Sequence, residues 1–205
     1  MSSKQELCAQ VYAHDAALWD SGLVFAGMDE AGRGPLAGCV MAACVVMPRE
    51  PMIYPVYDSK KLTQKQRESA YEQIMEQAVY VGLGRAEVFE IDEINILQAT
   101  KLAMRRSARG APVDLFLIDA VTGIGLPGEE RAVIGGDAAS YSIAAASIIA
   151  KVTRDREMEE LDALYPQYGF QKHKGYGTAE HIRAIREFGP CPAHRKSFLG
   201  KILST

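Results

Sequence analysis

The chain has 205 residues, 48% hydrophobic and 24% charged, which is enough to close one sizeable core and excludes a disordered or low-complexity chain. A net charge of −3 argues against indiscriminate nucleic-acid binding. The longest uncharged apolar stretch, residues 37–47, is too short for a membrane span of about 20 residues, and the start Met-Ser-Ser-Lys-Gln-Glu lacks the basic-then-apolar layout of a signal peptide. Cys8, Cys39, Cys44 and Cys191 form no Cys-x-x-Cys pair, so neither a zinc site nor a disulfide framework is indicated; free thiols in a cytoplasmic protein are expected.

The hydrophobic pattern predicts a helix over 5–20, a buried strand over 22–29 and a second strand over 37–47. At their junction stands Asp29-Glu-Ala-Gly-Arg-Gly-Pro-Leu-Ala-Gly38. Two adjacent carboxylates at a strand end are costly unless something positive holds them. The glycine-rich turn after them offers backbone donors and a guanidinium to an anion. It is not a dinucleotide-binding loop, which needs G-x-G-x-x-G opening a helix. Here the third glycine comes one place late, Pro35 intervenes, and residues 39–46 read as strand. No Gly-Lys-Ser/Thr follows, so a P-loop is excluded too.

Thr63-Gln-Lys-Gln66 has capping-box spacing and predicts a helix to about residue 77. A third strand is expected over 78–89 and a helix over 91–109, ended by Gly110. Residues 113–118 read as a buried strand with Asp119 at its end. After a Gly/Pro-rich loop at 123–128, a short strand at 132–134 leads through Gly135-Gly136 to Asp137. A helix over 140–164 follows, alanine-rich first and charged later. Antiparallel strands followed by alternating strand and helix imply an α/β fold with a mixed sheet flanked by helices. Beyond Pro166 the pattern becomes loop, a helix at 178–188 and a Pro-punctuated tail. Residues 166–205 carry seven Lys or Arg against two Asp or Glu, and three of the four histidines. Such a basic extension either contacts phosphates or is simply a solvated face.

Asp29, Glu30, Asp119 and Asp137 all fall at the ends of elements. Converging on one spot, they would give a hard divalent ion such as Mg²⁺ or Mn²⁺ its oxygen ligands. Without metal their mutual repulsion would raise some of their pKa values. Two ions roughly 3.5–4 Å apart would activate a water and stabilise the departing oxygen of a phosphodiester. Each acid taken singly also has an ordinary role: Asp137 as a helix N-cap, Asp119 as a turn former, Glu30 as a surface residue.

Residues 29–38 resemble the signature of type 2 ribonuclease H, the ribonuclease HII family. Further stretches resemble it in order: Asp58-Ser-Lys-Lys-Leu-Thr63, Ile91-Asp-Glu-Ile-Asn-Ile-Leu-Gln98, Ile143-Ala-Ala-Ala-Ser-Ile-Ile-Ala-Lys-Val-Thr-Arg-Asp155, His173-Lys-Gly-Tyr-Gly-Thr178 and His194-Arg-Lys-Ser-Phe198. The resemblance implies a ribonuclease H-like mixed five-stranded sheet flanked by helices, with a C-terminal helical extension. The catalytic domain would be 1–165, with the N-terminal helix at 1–20, and the extension 166–205 would pack on it. The implied enzyme is a cytoplasmic, monomeric endoribonuclease. It would cut the RNA strand of RNA–DNA hybrids, and cut 5′ of ribonucleotides embedded in duplex DNA, as in ribonucleotide excision and RNA-primer removal during replication and repair. Two Mg²⁺ or Mn²⁺ ions on Asp29, Glu30, Asp119 and Asp137 would activate water, leaving a 5′-phosphate and a 3′-hydroxyl.

Within that resemblance, Gly32, Arg33 and Gly34 would test the sugar for its 2′-hydroxyl, since backbone without side chains approaches a sugar closely. Tyr176, between Gly175 and Gly177, would stack on the next sugar and prefer one lacking that group. Ser59 and Lys60 would contact phosphates. Asp155 rivals Asp137 as fourth acid, but 18 residues of helix separate them, roughly 27 Å along an axis. Asp137 is the better choice, and Asp155 is expected to pair with Arg154, Arg156 or Lys151. His173 either faces substrate or, as the better expectation, is a solvated loop residue. Two departures stand out: Gly136 where the family has lysine, removing a charge and loosening Asp137, and residues 120–125, which lack the usual glycine-asparagine. The alternatives are a catalytically weak nucleic-acid-binding relative, and a nucleotide-dependent oxidoreductase or kinase. The latter requires a helix at 39–46.

Overall fold

The computed structural model describes residues 3–204. Its strands are β1 (Phe25–Ala31), β2 (Val40–Val46), β3 (Tyr80–Ala86), β4 (Leu115–Asp119) and β5 (Glu129–Val133). They form one sheet in the order β3-β2-β1-β4-β5. The β1–β2 and β2–β3 pairs are antiparallel, whereas β1–β4 and β4–β5 are parallel. This is the mixed five-stranded sheet that the pattern implied. Residues 40–46 are strand, which removes the nucleotide-loop alternatives.

Helices cover both faces. α1 (Ser3–Asp20), α2 (Gln64–Gln77) and α5 (Tyr141–Leu164) pack on one face, and α3 (Val88–Ser107) on the other. Alternating side chains sort themselves accordingly: Ala43 and Val45 turn toward α5, Ala42 and Cys44 toward α3. β2 is therefore buried along its whole length and shows no apolar–polar alternation. α5 crosses β1 at Gly27, where a Cβ would lie 2.1 Å from the Ser142 carbonyl carbon. Any side chain there would push helix from sheet. The start of α5 is held by Ser140 Oγ, which accepts from Ile143 N, and by the fully buried Asp15, whose Oδ2 accepts from Ser142 N at 2.7 Å. A carboxylate suits the positive end of a helix.

Several boundaries differ from expectation, each for a physical reason. β1 starts at Phe25 and runs on through Asp29 and Glu30 to Ala31, because β2 keeps pairing it there (Asp29↔Ala43, Glu30↔Ala42, Ala31↔Met41). The two acids thus lie within the strand, not after it. β5 occupies Glu129–Val133 rather than 132–134; as an exposed edge strand paired on one side only, Glu-Glu-Arg-Ala-Val carries no apolar signal. α3 begins at a Glu87/Glu90 capping box and is interrupted at Asn95 (φ 67°), whose Oδ1 accepts from Leu97 N and Gln98 N. That interruption explains why residues 91–104 mix apolar and polar faces. α4 (Gly136–Ala139) is separated from α5 at Ser140. The Thr63–Gln66 capping box opens α2 as the spacing implied.

The C-terminal segment folds as α6 (Phe170–His173), α7 (Ala179–Phe188) and α8 (Gly200–Leu203). Its Tyr168, Phe170, Ile185 and Leu199 share a cluster with Met158 of α5 and with Ala37. Cys8, Cys39 and Cys44 are buried and Cys191 is partly buried, all as free thiols. Among the described residues no helix is long and apolar enough to cross a membrane.

Candidate active site

β1 outruns its parallel neighbour: its last β4 partner pair is Met28↔Ile118. Beyond that point both faces of β1 open onto one cavity of about 490 Å³, lined by Asp29, Glu30, Asp119, Lys60, residues 32–34 and Tyr176, among others. Asp29 is nearly buried and its Oδ1 accepts from Glu30 N at 2.7 Å. Glu30 Oε1 accepts from Arg33 Nη1 at 3.3 Å, whereas Glu30 Oε2 is buried with no partner. Asp119, at the end of β4, accepts from Gly136 N at 2.8 Å. Asp137, in α4, stands behind Lys60 and accepts from its Nζ at 2.8 Å.

Burial raises the Asp29 carboxyl well above the usual range, and the charges of Glu30 and Asp119 push the same way; a hydrogen bond from Ser147 only partly opposes them. Burial likewise raises Glu30, against the pull of Arg33. It raises Asp119 too, against the Gly136 N–H and reinforced by Asp137. Three acids held above their ordinary values, with a buried carboxylate oxygen left unpaired, mark a place short of positive charge. That donor set, all oxygen, suits a hard divalent cation. As the side chains stand, no group of three or more His, Cys, Asp or Glu among the described residues is placed to hold an ion; Asp137 is paired with Lys60 instead. A larger groove of about 950 Å³ lies beside Phe89 and Leu164. Of its four acids, Glu87 and Glu157 pair with Arg85, and Asp92 holds the backbone of residues 196 and 197.

The family model for ribonuclease HII matches residues 26–201. The chain belongs to the ribonuclease HII family. It is 49% identical over 193 residues to the ribonuclease HII of Caldanaerobacter subterraneus subsp. tengcongensis, covering 93% of this chain and 80% of that one. It is 54% identical over 184 residues to that of Desulfitobacterium hafniense (strain DSM 10664 / DCB-2), covering 88% and 71%. Its fold matches the ribonuclease H2 of Pyrococcus horikoshii OT3 with a TM-score of 0.72 and 27% identity, over 88% and 97% of the two chains. A ribonuclease HIII crystallised with Mn²⁺ shares the fold alone, at TM-score 0.67 and 20% identity over 89% and 70%. The chain is accordingly a divalent-metal-dependent ribonuclease H, a hydrolase of the type that acts on RNA–DNA hybrids.

In this ribonuclease HII, Ser59 lines the cavity but is buried, and its hydroxyl shares a hydrogen bond of 2.9 Å with Ser147. It therefore reaches Asp29 through Ser147. Asp155 pairs with Lys151 at 2.7 Å, one of the three partners expected. His173 is not solvated: it is buried, with Nε2 2.8 Å from the Tyr168 carbonyl. The short helix α6 turns it inward, which a loop reading of Lys-His-Lys-Gly missed.

Sequence reasoning also missed two buried arginines. Arg195 donates to the carbonyls of Gly32, Arg33, Pro35, Gly38 and Cys39 at 2.6–3.1 Å. Arg154 donates through Nε to Cys39 O (3.0 Å), through Nη2 to Ala37 O (3.0 Å) and through Nη1 to Lys174 O (3.1 Å). Burial pushes Arg195 down to about 9, so it still carries its charge at neutral pH. Both guanidiniums collect carbonyls from the back of the 32–39 turn. A Cβ on Gly32 (φ 96°) would stand 2.1 Å from Arg154 Nε, so this glycine serves the interior. At Gly34 a Cβ would meet only Tyr176 Cε1, at 3.5 Å: Gly34 and Tyr176 face each other. The helical stripe of α5 was the available signal for Arg154, which stands four residues from Ala150 and from Met158, both buried.

A third group fixes Tyr176. Cys191 N donates to His194 Nδ1 at 3.0 Å, His194 Nε2 lies 3.0 Å from His181 Nε2, and His181 Nδ1 lies 2.9 Å from the Tyr176 carbonyl. His194 Nδ1 accepts, so Nε2 carries its proton and donates to His181, which in turn donates to Tyr176.

Proposed function

We propose that this ribonuclease HII cuts 5′ of ribonucleotides embedded in duplex DNA as well as the RNA strand of hybrids, serving ribonucleotide excision and primer removal. The observation that carries this reading is the shared cavity. The charge-deficient acids Asp29, Glu30 and Asp119 line the same 490 Å³ as Gly34 and its facing ring Tyr176.

Asp29, Glu30, Asp119 and Asp137 would hold Mg²⁺ or Mn²⁺, two ions when substrate is bound. What bound ions supply is an activated water and charge neutralisation at the departing 3′ oxygen, leaving a 5′-phosphate. Residues 32–34 approach the sugar being cut, and the backbone there, with Gly34 bare, senses the 2′-hydroxyl. Tyr176, half exposed, offers its ring to the following sugar, where a deoxyribose packs more closely. Lys60, with its side chain mostly exposed, and Arg33 suit the flanking phosphates. Residues 1–165 act as the catalytic unit and 166–205 as the extension that presents Tyr176.

The test is a Mn²⁺ and a Mg²⁺ titration on a DNA duplex holding one ribonucleotide, beside a uniform RNA–DNA hybrid. Metal-dependent nicking 5′ of the single ribonucleotide supports the reading. Binding of that duplex without metal-stimulated cutting would make the chain a nucleic-acid-binding relative.

A further inference from the structure

Reading an RNA-to-DNA step requires two sugar tests to fall on adjacent nucleotides, so the spacing between the testing elements matters as much as either one. The 32–39 turn and the 174–178 segment are distant in sequence and, besides the facing pair Gly34 and Tyr176, are joined by three links. Leu36 N donates to Gly175 O at 2.8 Å. Gly175 has no Cβ, which would stand 2.7 Å from Ala37 O. The third link is Arg154, whose one guanidinium holds Ala37 O and Cys39 O on the first segment and Lys174 O on the second.

Arg154 is 2% exposed and has no carboxylate partner among the described residues. It lines the cavity but makes no hydrogen bond to the acids of the site; its three hydrogen bonds all go to carbonyls. A guanidinium is a rigid planar fork, so the carbonyls it binds are held in one plane at fixed separations, which a flexible ammonium cannot do. Lys174, the residue it grips on the far side, sits in the left-handed region at φ 52°, a conformation that persists only when its surroundings impose it. Its side chain is pinned separately to Glu159 at 2.8 Å. Tyr176 follows two residues later.

Resting on the reading above, we propose that Arg154 is a positioning residue that sets substrate specificity. Its guanidinium locks the residue 32–34 turn and the Tyr176 loop at one spacing, so that the ribose-to-deoxyribose step is read as one unit rather than by two independent contacts. A mere structural bolt would lower activity on every substrate alike; a spacer lowers the junction preference in particular.

The test is the ratio of kcat/KM on the single-ribonucleotide duplex to that on the uniform hybrid, measured for wild type, Arg154→Lys, Tyr176→Ala and the double variant, with thermal melts to establish folding. The expected result is that Arg154→Lys lowers the ratio by about tenfold or more, as misplacement of a substrate-positioning group by an ångström can cost about a hundredfold. The double variant should lose no more of the ratio than Tyr176→Ala, because the two act as a unit. Gly175→Ala supplies a second route if Arg154→Lys melts too low to assay. Its new methyl would stand 2.7 Å from the backbone oxygen of Ala37, forcing the two segments apart with Arg154 intact, and should lower the ratio in the same direction. An unchanged ratio, or equal losses on both substrates, would overturn the role of Arg154. A wild type with no junction preference, or a Tyr176→Ala variant that keeps it, would overturn the underlying reading instead.

Discussion

Lowering the pH from 7 to 4 puts protons on the histidines of the unfolded chain while the folded chain refuses them at His181. Its ring is fully buried, stacked on His173 at 4.4 Å between centroids and edge-on to Phe170 at 5.4 Å. Both its nitrogens are committed: Nε2 receives the His194 proton and Nδ1 donates to Tyr176 O. A further proton would set one N–H against another. Burial lowers His181 to about 4, opposed by the Tyr176 hydrogen bond and assisted by His173 and His194. The folded value lies below the unfolded one, so the unfolded state binds more protons throughout that window. Stability is complete above about 6.5 and falls as pH drops toward 4. At about 1.4 kcal/mol per pKa unit, the loss reaches about 3 kcal/mol, a large share of a typical domain's stability of about 5–15 kcal/mol. The assay is urea unfolding at pH 7, 6, 5 and 4 for wild type and His181→Phe, a change that keeps an aromatic ring in the stack and removes the titration. Carboxylates titrate in both proteins, so the difference between the two curves reports His181 together with the His194 hydrogen bond that depends on it. It should shrink by about 3 kcal/mol on acidification, starting below pH 7. Curves that stay parallel down to pH 4 would refute the relay and its tautomers.

Asp29→Asn should abolish cleavage while stabilising the metal-free chain by about 1 kcal/mol, because it removes a carboxylate that is destabilised by burial and by its neighbours; thermal melts in EDTA check this. Asp137→Asn should also abolish cleavage, and near-normal activity with Mg²⁺ would show the fourth acid to be another residue. Adding Mn²⁺ or Mg²⁺ to wild type should raise Tm, by the equivalent of about 2.7 kcal/mol at a hundred times Kd, and Asp29→Asn should lose most of that gain. Gly34→Ala, whose methyl finds ordinary contact at 3.5 Å, should fold normally yet lose discrimination between ribose and deoxyribose in competition cleavage. Gly32→Ala, at φ 96° and 2.1 Å from Arg154 Nε, should instead unfold several degrees earlier.

The α/β sheet was legible because buried strands announce themselves: residues 40–46 and 115–118 are continuous apolar runs covered on both faces. The edge strand β5 was half missed, since only Val133 of its Glu-Glu-Arg-Ala-Val packs on the core and Glu130 turns to the amides of residues 124–126. Local chemistry was also legible where it stayed local, as in the Thr63–Gln66 box and the Lys151–Asp155 pair. Long-range satisfaction was not. Arg154 and Arg195 look like surface charges in a one-dimensional reading; only the fold shows them collecting the carbonyls that the 32–39 turn cannot pair within itself. The same holds for Asp15, an acid in a helix that ends as the cap of another helix some 127 residues away.

Charge balance at the acids makes the point most sharply. Gly136, where the resemblance implies lysine, reads in the sequence as removing a positive charge and loosening Asp137. A Cβ at 136 would stand 2.7 Å from Ile143 Cδ1 and 3.4 Å from the Asp119 Cα, so glycine lets α4 settle against α5 and brings its N–H to Asp119. Asp137 is not loose either, because Lys60, 77 residues distant in sequence, delivers an ammonium to it at 2.8 Å. The Lys60 side chain is mostly exposed, which keeps its desolvation cost small. Asp137 thus takes its positive partner from a distant loop, and the electrostatics of such a site belong to the loops that converge on it rather than to any one motif.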